Sequence, residues 1–305
     1  MSAGWVAGSV RARALARRRL GPGRTRMLAA SPSLGQALMT LTGTPYGRHV
    51  DPHQRPAEAQ RAVAAVFLWH LRVLAGWLPR EGVETARTAA GWFELANVDE
   101  LLQRTGPREG VFQLGELATA WPSLERSTTP AQLRAALAAT RWGDPGETDI
   151  RAIRLGMRMS LAQRIAGRAP QCAAWSAGVV AVCVASERFG ARQVLPGMAR
   201  RRAARLIGAA AVDALTLPEM ISQLSARARW ALDGVEDPAD LWRAEARCWA
   251  RLERDGLGML SEPGFTSGPV VGAIAVLATD AWRVRAALES AARGGGPVEA
   301  YDAVA

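Results

Sequence analysis

His49, His53 and His70 have the widest chemical range in this chain, since three imidazoles can hold a zinc ion and leave a fourth position open for water. Their surroundings argue against that use. His49 and His53 stand four apart, but Pro52 and the flanking GRHVDPHQRP disfavour a helix there, and His70 falls within an apolar stripe of helical period. No carboxylate or further imidazole is placed by spacing to complete a site. No metal is therefore expected, and His70 is assigned to packing or a helix contact. Cys172, Cys183 and Cys248 form no close ligand pair and have no base at readable spacing, so they read as small core residues. Three cysteines cannot build a disulfide framework, which favours a reducing compartment.

The carboxylates do not converge by position either. Glu94 and Asp99 flank Asn97, and Asp233, Glu236, Asp237 and Asp240 surround Pro238 as a turn leading into an acidic helix start. A phosphate loop of the GxxxxGK[ST] type is missing, as are HExxH and a GxSxG elbow. RGGGP, the most glycine-rich stretch, follows a helical pattern near the end of the chain and reads as a flexible tail. Neither catalysis nor a cofactor is expected from these residues.

The elements that would carry them are helices. Residues 57–77 place Ala59, Val63, Val66, Phe67, His70 and Leu74 at intervals of three or four, with Pro56 before and Pro79 after. A second apolar series runs through Phe93, Val98, Leu101 and Leu102 and ends at Gly106 and Pro107. APQCAAWSAGVVAVCVAS, the least polar run, falls at or below the roughly 20 residues a helix needs to cross a bilayer and is interrupted by polar residues, so it reads as a buried helix. Three segments repeat in register. Leu34 to Tyr46, Pro130 to Trp142 and Pro218 to Trp230 each span 12 positions, and the first two end in TPYG and TRWG. The expected fold is all-α, with a first helical module over 1–110, a second over 111–208 and a third over 209–305. The module boundaries are drawn at Gly106–Gly115 and roughly Gly197–Leu215.

Charge narrows the function classes. The formal net charge is +10, yet residues 1–30 hold seven arginines and no acid, so most of the excess lies at one end. Arg192, Arg200, Arg201, Arg202 and Arg205 form the one comparable cluster. A nucleic-acid surface normally needs wider basic coverage, although the N-terminal arginines keep that alternative open. No secretory signal is read at the N-terminus. On a helical wheel Trp5, Ala12, Leu15, Ala16 and Leu20 share one side of SVRARALARRRLG and its flanks, while Arg11, Arg17 and Arg18 fall elsewhere. The eleven tryptophans are spread through all three modules, as packing residues are and base-stacking platforms are not.

The order of these features resembles the C-type central-stalk subunits of the V/A-type rotary ATPases (ATP synthases), which are relatives of the d-type subunits of vacuolar ATPases. That family opens with YxNARVRAxxxxLL, and VAGSVRARALARRRL keeps Arg11 and Arg13 with Leu15 and Leu20, though Ala7 and Ser9 replace tyrosine and asparagine. The family's LxxLxxTxYG corresponds to LMTLTGTPYG through Leu38, Leu41, Thr44, Tyr46 and Gly47. Its NLxxLLR corresponds to NVDELLQR, with Asn97, Leu101 and Leu102 kept and Gln103 in place of arginine. Its KExExxxLR helix corresponds to VLATDAWRVR, where Asp280 takes the later acidic place, Arg283, Val284 and Arg285 follow, and Val276 and Leu277 replace lysine and glutamate.

The resemblance, over approximately residues 7–292, implies a funnel-like array of three pseudo-repeated helical domains. It implies a non-catalytic role in the central stalk, at the cytoplasmic face of the cell membrane. Its partners would be the central-shaft subunits and the membrane rotor ring, with an anionic lipid surface as a further contact and no specific nucleic acid. Arg11, Arg13, Tyr46, Asn97, Asp280, Arg283 and Arg285 are then structural or partner-interface residues. The alternatives are a helical adaptor or divergent paralogue outside a functioning motor, and a nucleic-acid-binding protein using the basic N-terminal helix.

Overall fold

The computed structural model describes residues 3–103, 110–295 and 301. In chain order its helices are α1 (Ala3–Ala16), α2 (Pro22–Ala29), α3 (Leu34–Thr42), α4 (Pro56–Ala75) and α5 (Arg80–Gln103), then α6 (Trp121–Leu124), α7 (Pro130–Ala138), α8 (Ile150–Ala166) and α9 (Pro170–Ala185). There follow α10 (Gly197–Ile207), α11 (Ala209–Asp213), α12 (Leu217–Gln223), α13 (Ala226–Arg229), α14 (Leu241–Ser261) and α15 (Ser267–Ala292). The described residues contain no strand, so the fold is all-α. Part of the boundary read at Gly106–Gly115, and most of the tail that follows RGGG, lie outside the described residues.

The helices form two compact units, Met1–Ala86 with Trp249–Ala305 and Arg87–Cys248. The first unit therefore draws on both ends of the chain, and the chain passes between units within α5 and within α14.

In the first unit α15 is the central helix, packed against α1, α2, α3 and α4. Its sequence explains that place: Val270, Ala273, Val276, Leu277, Val284, Ala287 and Leu288 are buried around the helix rather than along a single stripe. Ala12, Leu15 and Ala16 of α1 join Leu74, Val270, Ala273 and Leu277 in one cluster, while Leu20, Leu28, Leu38, Leu41 and Tyr46 join Val63, Val66, Val284 and Leu288 in another. Each large aliphatic side chain enclosed in this way contributes about 1.5–3 kcal/mol. The expected wheel of the N-terminal stretch holds in part: Ala12, Leu15 and Ala16 of α1 are buried, but Trp5 and Arg11 are both half-buried, and the helix ends at Ala16, so buried Leu20 and exposed Arg17 and Arg18 lie beyond it.

The second unit is built on α8 and α9, with α10 against both and α13 against α9. α9 is the apolar run expected to be a buried helix. Although Pro170–Gly190 is long and apolar enough to cross a membrane, 56% of an 18-residue apolar stretch within it is buried in protein. Cys172, Trp175, Ala177, Val180, Ala181, Val184 and Ala185 are its buried apolar side chains.

The three repeated segments fold by shared local rules. Ser33 caps α3 by accepting from the Gln36 N–H at 3.3 Å, Thr129 caps α7 through Gln132 at 3.2 Å, and Thr216 caps α12 through Glu219 at 3.3 Å. After α3 and α7 the likeness continues atom by atom. Thr44 donates to the Leu41 carbonyl at 2.7 Å and accepts from the Tyr46 N–H at 3.2 Å; Thr140 donates to Leu137 at 2.8 Å and accepts from the Trp142 N–H at 3.3 Å. These threonines fix the turn that sends Tyr46 and Trp142 back into the protein, where both are buried.

Candidate functional site

Asp280 lies on α15 with its carboxylate buried beside the turn that joins α1 to α2. Gly21 adopts φ 80° there, a left-handed conformation that glycine reaches without strain, and Pro22 starts α2 with its φ already suited to a helix. The turn aims two backbone donors inward. Leu20 N–H donates to Asp280 Oδ2 at 2.9 Å and Gly21 N–H to Oδ1 at 2.7 Å. The Tyr46 hydroxyl adds a third bond, to Oδ2 at 2.7 Å. Burial, and then the charge of Asp280, push the Tyr46 phenol well above its ordinary pKa, so it remains a proton donor. The carboxylate also sits at the positive end of α2. Two of the residues singled out from sequence thus form one constellation.

The other candidates are engaged elsewhere within the protein. Buried Arg283 places Nη1 2.6 Å from Oε1 of half-buried Glu253 in an ion pair of the first unit. Arg285 Nε donates to Gln60 Oε1 at 2.7 Å, and Gln60 Nε2 returns a bond to the Arg285 carbonyl at 2.8 Å. Arg13 binds the turn between α14 and α15, with Nε donating to the Leu260 carbonyl at 3.1 Å and Nη2 to Glu262 at 2.8 Å and Gly264 at 3.0 Å. Arg11 places its guanidinium 5.7 Å from the centre of the Trp77 ring. Asn97 is buried in the second unit, where Oδ1 accepts from the Phe112 N–H at 2.7 Å and Nδ2 donates to the Phe112 carbonyl at 2.9 Å.

Sequence reasoning set Glu94 aside, and the structure gives it a position like that of Asp280. Glu94 is buried on α5. It accepts from the backbone N–H of Thr119, from Ala120 at 2.8 Å and Trp121 at 3.3 Å, and from the Thr119 hydroxyl at 2.8 Å. Trp142 completes the set, its indole Nε1–H donating to Glu94 Oε2 at 2.7 Å. In each unit, then, a buried carboxylate on a long helix binds N–H groups at or just before the start of a short helix, and an aromatic donor at the end of a 13-residue span closes the site. The signal was present in the paired TPYG and TRWG.

The third span ends differently. α9, against which the segment after α12 packs, carries no acidic residue, and Trp230 Nε1 donates instead to the Arg227 carbonyl at 2.7 Å. Gly178 of α9 leaves room for that indole, since a Cβ there would overlap it.

Arg202 further stiffens the turn after Trp142. It is buried and donates to the carbonyls of Gly156 at 2.6 Å, Trp142 at 2.9 Å and Asp144 at 3.2 Å. The Arg134 guanidinium, followed by the Gly146 N–H, holds the Asp144 carboxyl down at about 2.

Among the described residues Asp280 accepts from three protein donors and Glu94 from five, so their present geometry is that of structural anchors. The histidines remain apart in role: His70 is buried in the first unit, whereas His49 and His53 lie on exposed turns. Among the described residues no three His, Cys, Asp or Glu side chains are grouped to hold a metal ion. No protein-family model and no curated protein matches the chain.

Proposed function

We propose that the chain is a non-catalytic helical adaptor of the V/A-type rotary-ATPase central stalk, a funnel-like array of three pseudo-repeated domains that joins a central shaft to a membrane rotor ring. The observation that carries this reading is the duplicated anchor, Asp280 with Tyr46 and Glu94 with Trp142, each closing on a residue at the end of a span of the same 13-residue length. Repetition of one structural device supports descent of the modules from a common unit, with the third having exchanged its carboxylate for an apolar contact. An adaptor that transmits torque must resist deformation. Buried carboxylates held by several backbone and side-chain donors serve that need, because a rotation of one helix past another would strip several charge-assisted hydrogen bonds at once.

In this role the protein works at the cytoplasmic face of the membrane, and its exposed N-terminal arginines lie where an anionic lipid surface attracts them. Torque passes through its contacts while nucleotide chemistry takes place elsewhere in the motor.

Gentle detergent extraction of the native membrane, followed by purification through a tag on this chain, tests the proposal. Recovery of shaft and ring subunits in fixed proportion is the expected result. Repeated recovery without any motor component would overturn it and favour a helical adaptor outside a motor.

A further inference from the structure

The exposed part of α10 and the two loops beside it combine features that internal ion pairs leave largely unused. Arg201 and Arg205 stand four apart on α10 and are both exposed, with Arg200 adjacent. Arg192 is exposed in the loop before α10, and among the described residues neither it nor Arg201 or Arg205 forms an ion pair. Two aliphatic side chains are exposed in the loops before α10 and after α11. Val194, two residues before Pro196, is 86% exposed, and Leu215, two residues after Asp213, is 83% exposed.

The segments that present them are braced. Arg192 holds φ 55°, a left-handed conformation that costs a side-chain-bearing residue about 1 kcal/mol or more. Gln193 N–H donates to the Glu187 carbonyl at 2.8 Å, and Arg151 donates to the Val194 carbonyl at 3.0 Å while pairing with Glu187 at 2.6 Å. The turn carrying Leu215 is tied down by Arg188 on the Val212 carbonyl and by Arg200 on Asp213. A surface held in this way loses little conformational freedom on binding.

We propose that this part of the second unit is a docking surface for an acidic protein segment, one that presents clustered carboxylates beside apolar side chains. Arg200 shows how such a carboxylate is held. It engages Asp213 through two parallel contacts, Nε to Oδ1 at 2.7 Å and Nη2 to Oδ2, the fork-to-carboxylate geometry that arginine favours. Arg192, Arg201 and Arg205 offer the same fork without an internal carboxylate. Val194 and Leu215 provide the anchors that such pairs flank in protein interfaces. A nucleic acid would set both aliphatic side chains against phosphate, and α10 already buries its apolar face, Ala199, Ala203 and Ile207, within the unit, leaving none for a bilayer.

The test uses the intact chain and a synthetic 21-residue helical peptide with leucines along one face and glutamates elsewhere. Its controls are the same peptide with lysine for glutamate, phosphatidylglycerol vesicles and a 20-base-pair duplex. The expected result is saturable binding of the glutamate peptide, about tenfold weaker for Arg201→Glu with Arg205→Glu and for Val194→Asp with Leu215→Asp. The milder Arg201→Gln with Arg205→Gln should lower affinity in the same direction, and helical circular dichroism checks that every variant folds. The proposal is overturned by an absence of saturable binding, by equal affinity for the lysine peptide, or by affinity unchanged in the folded variants. Variant-sensitive binding to vesicles or duplex that exceeds peptide binding overturns it as well.

Discussion

The Tyr46 hydroxyl and Asp280 Oδ2 are 2.7 Å apart in space and 234 positions apart in sequence, and their hydrogen bond ties an N-terminal turn to the central helix of the first unit. Because the acceptor is ionised and enclosed, the bond belongs to the stronger class of about 1.5–3 kcal/mol. Tyr46→Phe should therefore lower the unfolding free energy by roughly that amount. Asp280→Ala should cost more, on the order of 4 kcal/mol, because it leaves the Leu20 and Gly21 N–H groups unpaired along with the phenol. Urea titration of both single variants and the double variant checks this. Simple addition of the two losses would mean that the pair is not coupled.

Glu94 extends the argument to the second unit. Glu94→Gln preserves the volume but turns one acceptor into an N–H₂ donor facing donors from Thr119, Trp121 or Trp142. A loss of about 3 kcal/mol is expected. Amide hydrogen exchange should accelerate at Thr119, Ala120 and Trp121 more than in α8 or α9. Uniform acceleration would instead show that Glu94 supports the unit as a whole.

The helices were legible because their signals are local. Pro56 and Pro79 bracketed α4, and the stripe through Ala59, Val63, Val66 and Leu74 named its buried side. The wheel of SVRARALARRRLG placed Leu15 inward for the same reason, but it ran past the end of the helix at Ala16, so the exposure of Arg17 belongs to the turn that follows. Tyr46 and Asp280 were each singled out, yet their meeting was not visible, since it depends on packing between distant helices. Glu94 was passed over because its donors come from residues 119–121 and 142, and nothing near position 94 announces them. The joining of both chain ends in one unit is likewise a matter of long-range contact, which periodicity does not encode.

His70 makes the stability of the first unit depend on acid. It is only 4% exposed, its Nε2 has no hydrogen-bond partner, and burial together with the charge of Arg18 lowers its pKa from 6.5 to about 4. Between those values the unfolded chain binds the proton more readily than the folded one. The contribution is thus fully present above about pH 6.5 and is lost as the pH falls toward 4. It amounts to roughly 3 kcal/mol at most. Unfolding curves at pH 7, 6, 5 and 4.5 should show this decline, and His70→Phe should flatten it. An undiminished slope in that variant would assign the effect to other groups.

Gly178 and Gly23 give opposite expectations for the same substitution. Both lie within helices, but a Cβ at Gly178 would overlap the Trp230 indole, whereas nothing lies within 4 Å of one at Gly23. Gly178→Ala should force Trp230 or α9 to move and destabilise the second unit by about 1–3 kcal/mol. Gly23→Ala should be neutral or stabilising by up to about 1 kcal/mol, since it restricts the unfolded chain without meeting a neighbour. Thermal unfolding followed by tryptophan fluorescence measures both. Tolerance of alanine at Gly178 would show that the indole has room to shift, and that its close approach to α9 is not what fixes the third 13-residue span.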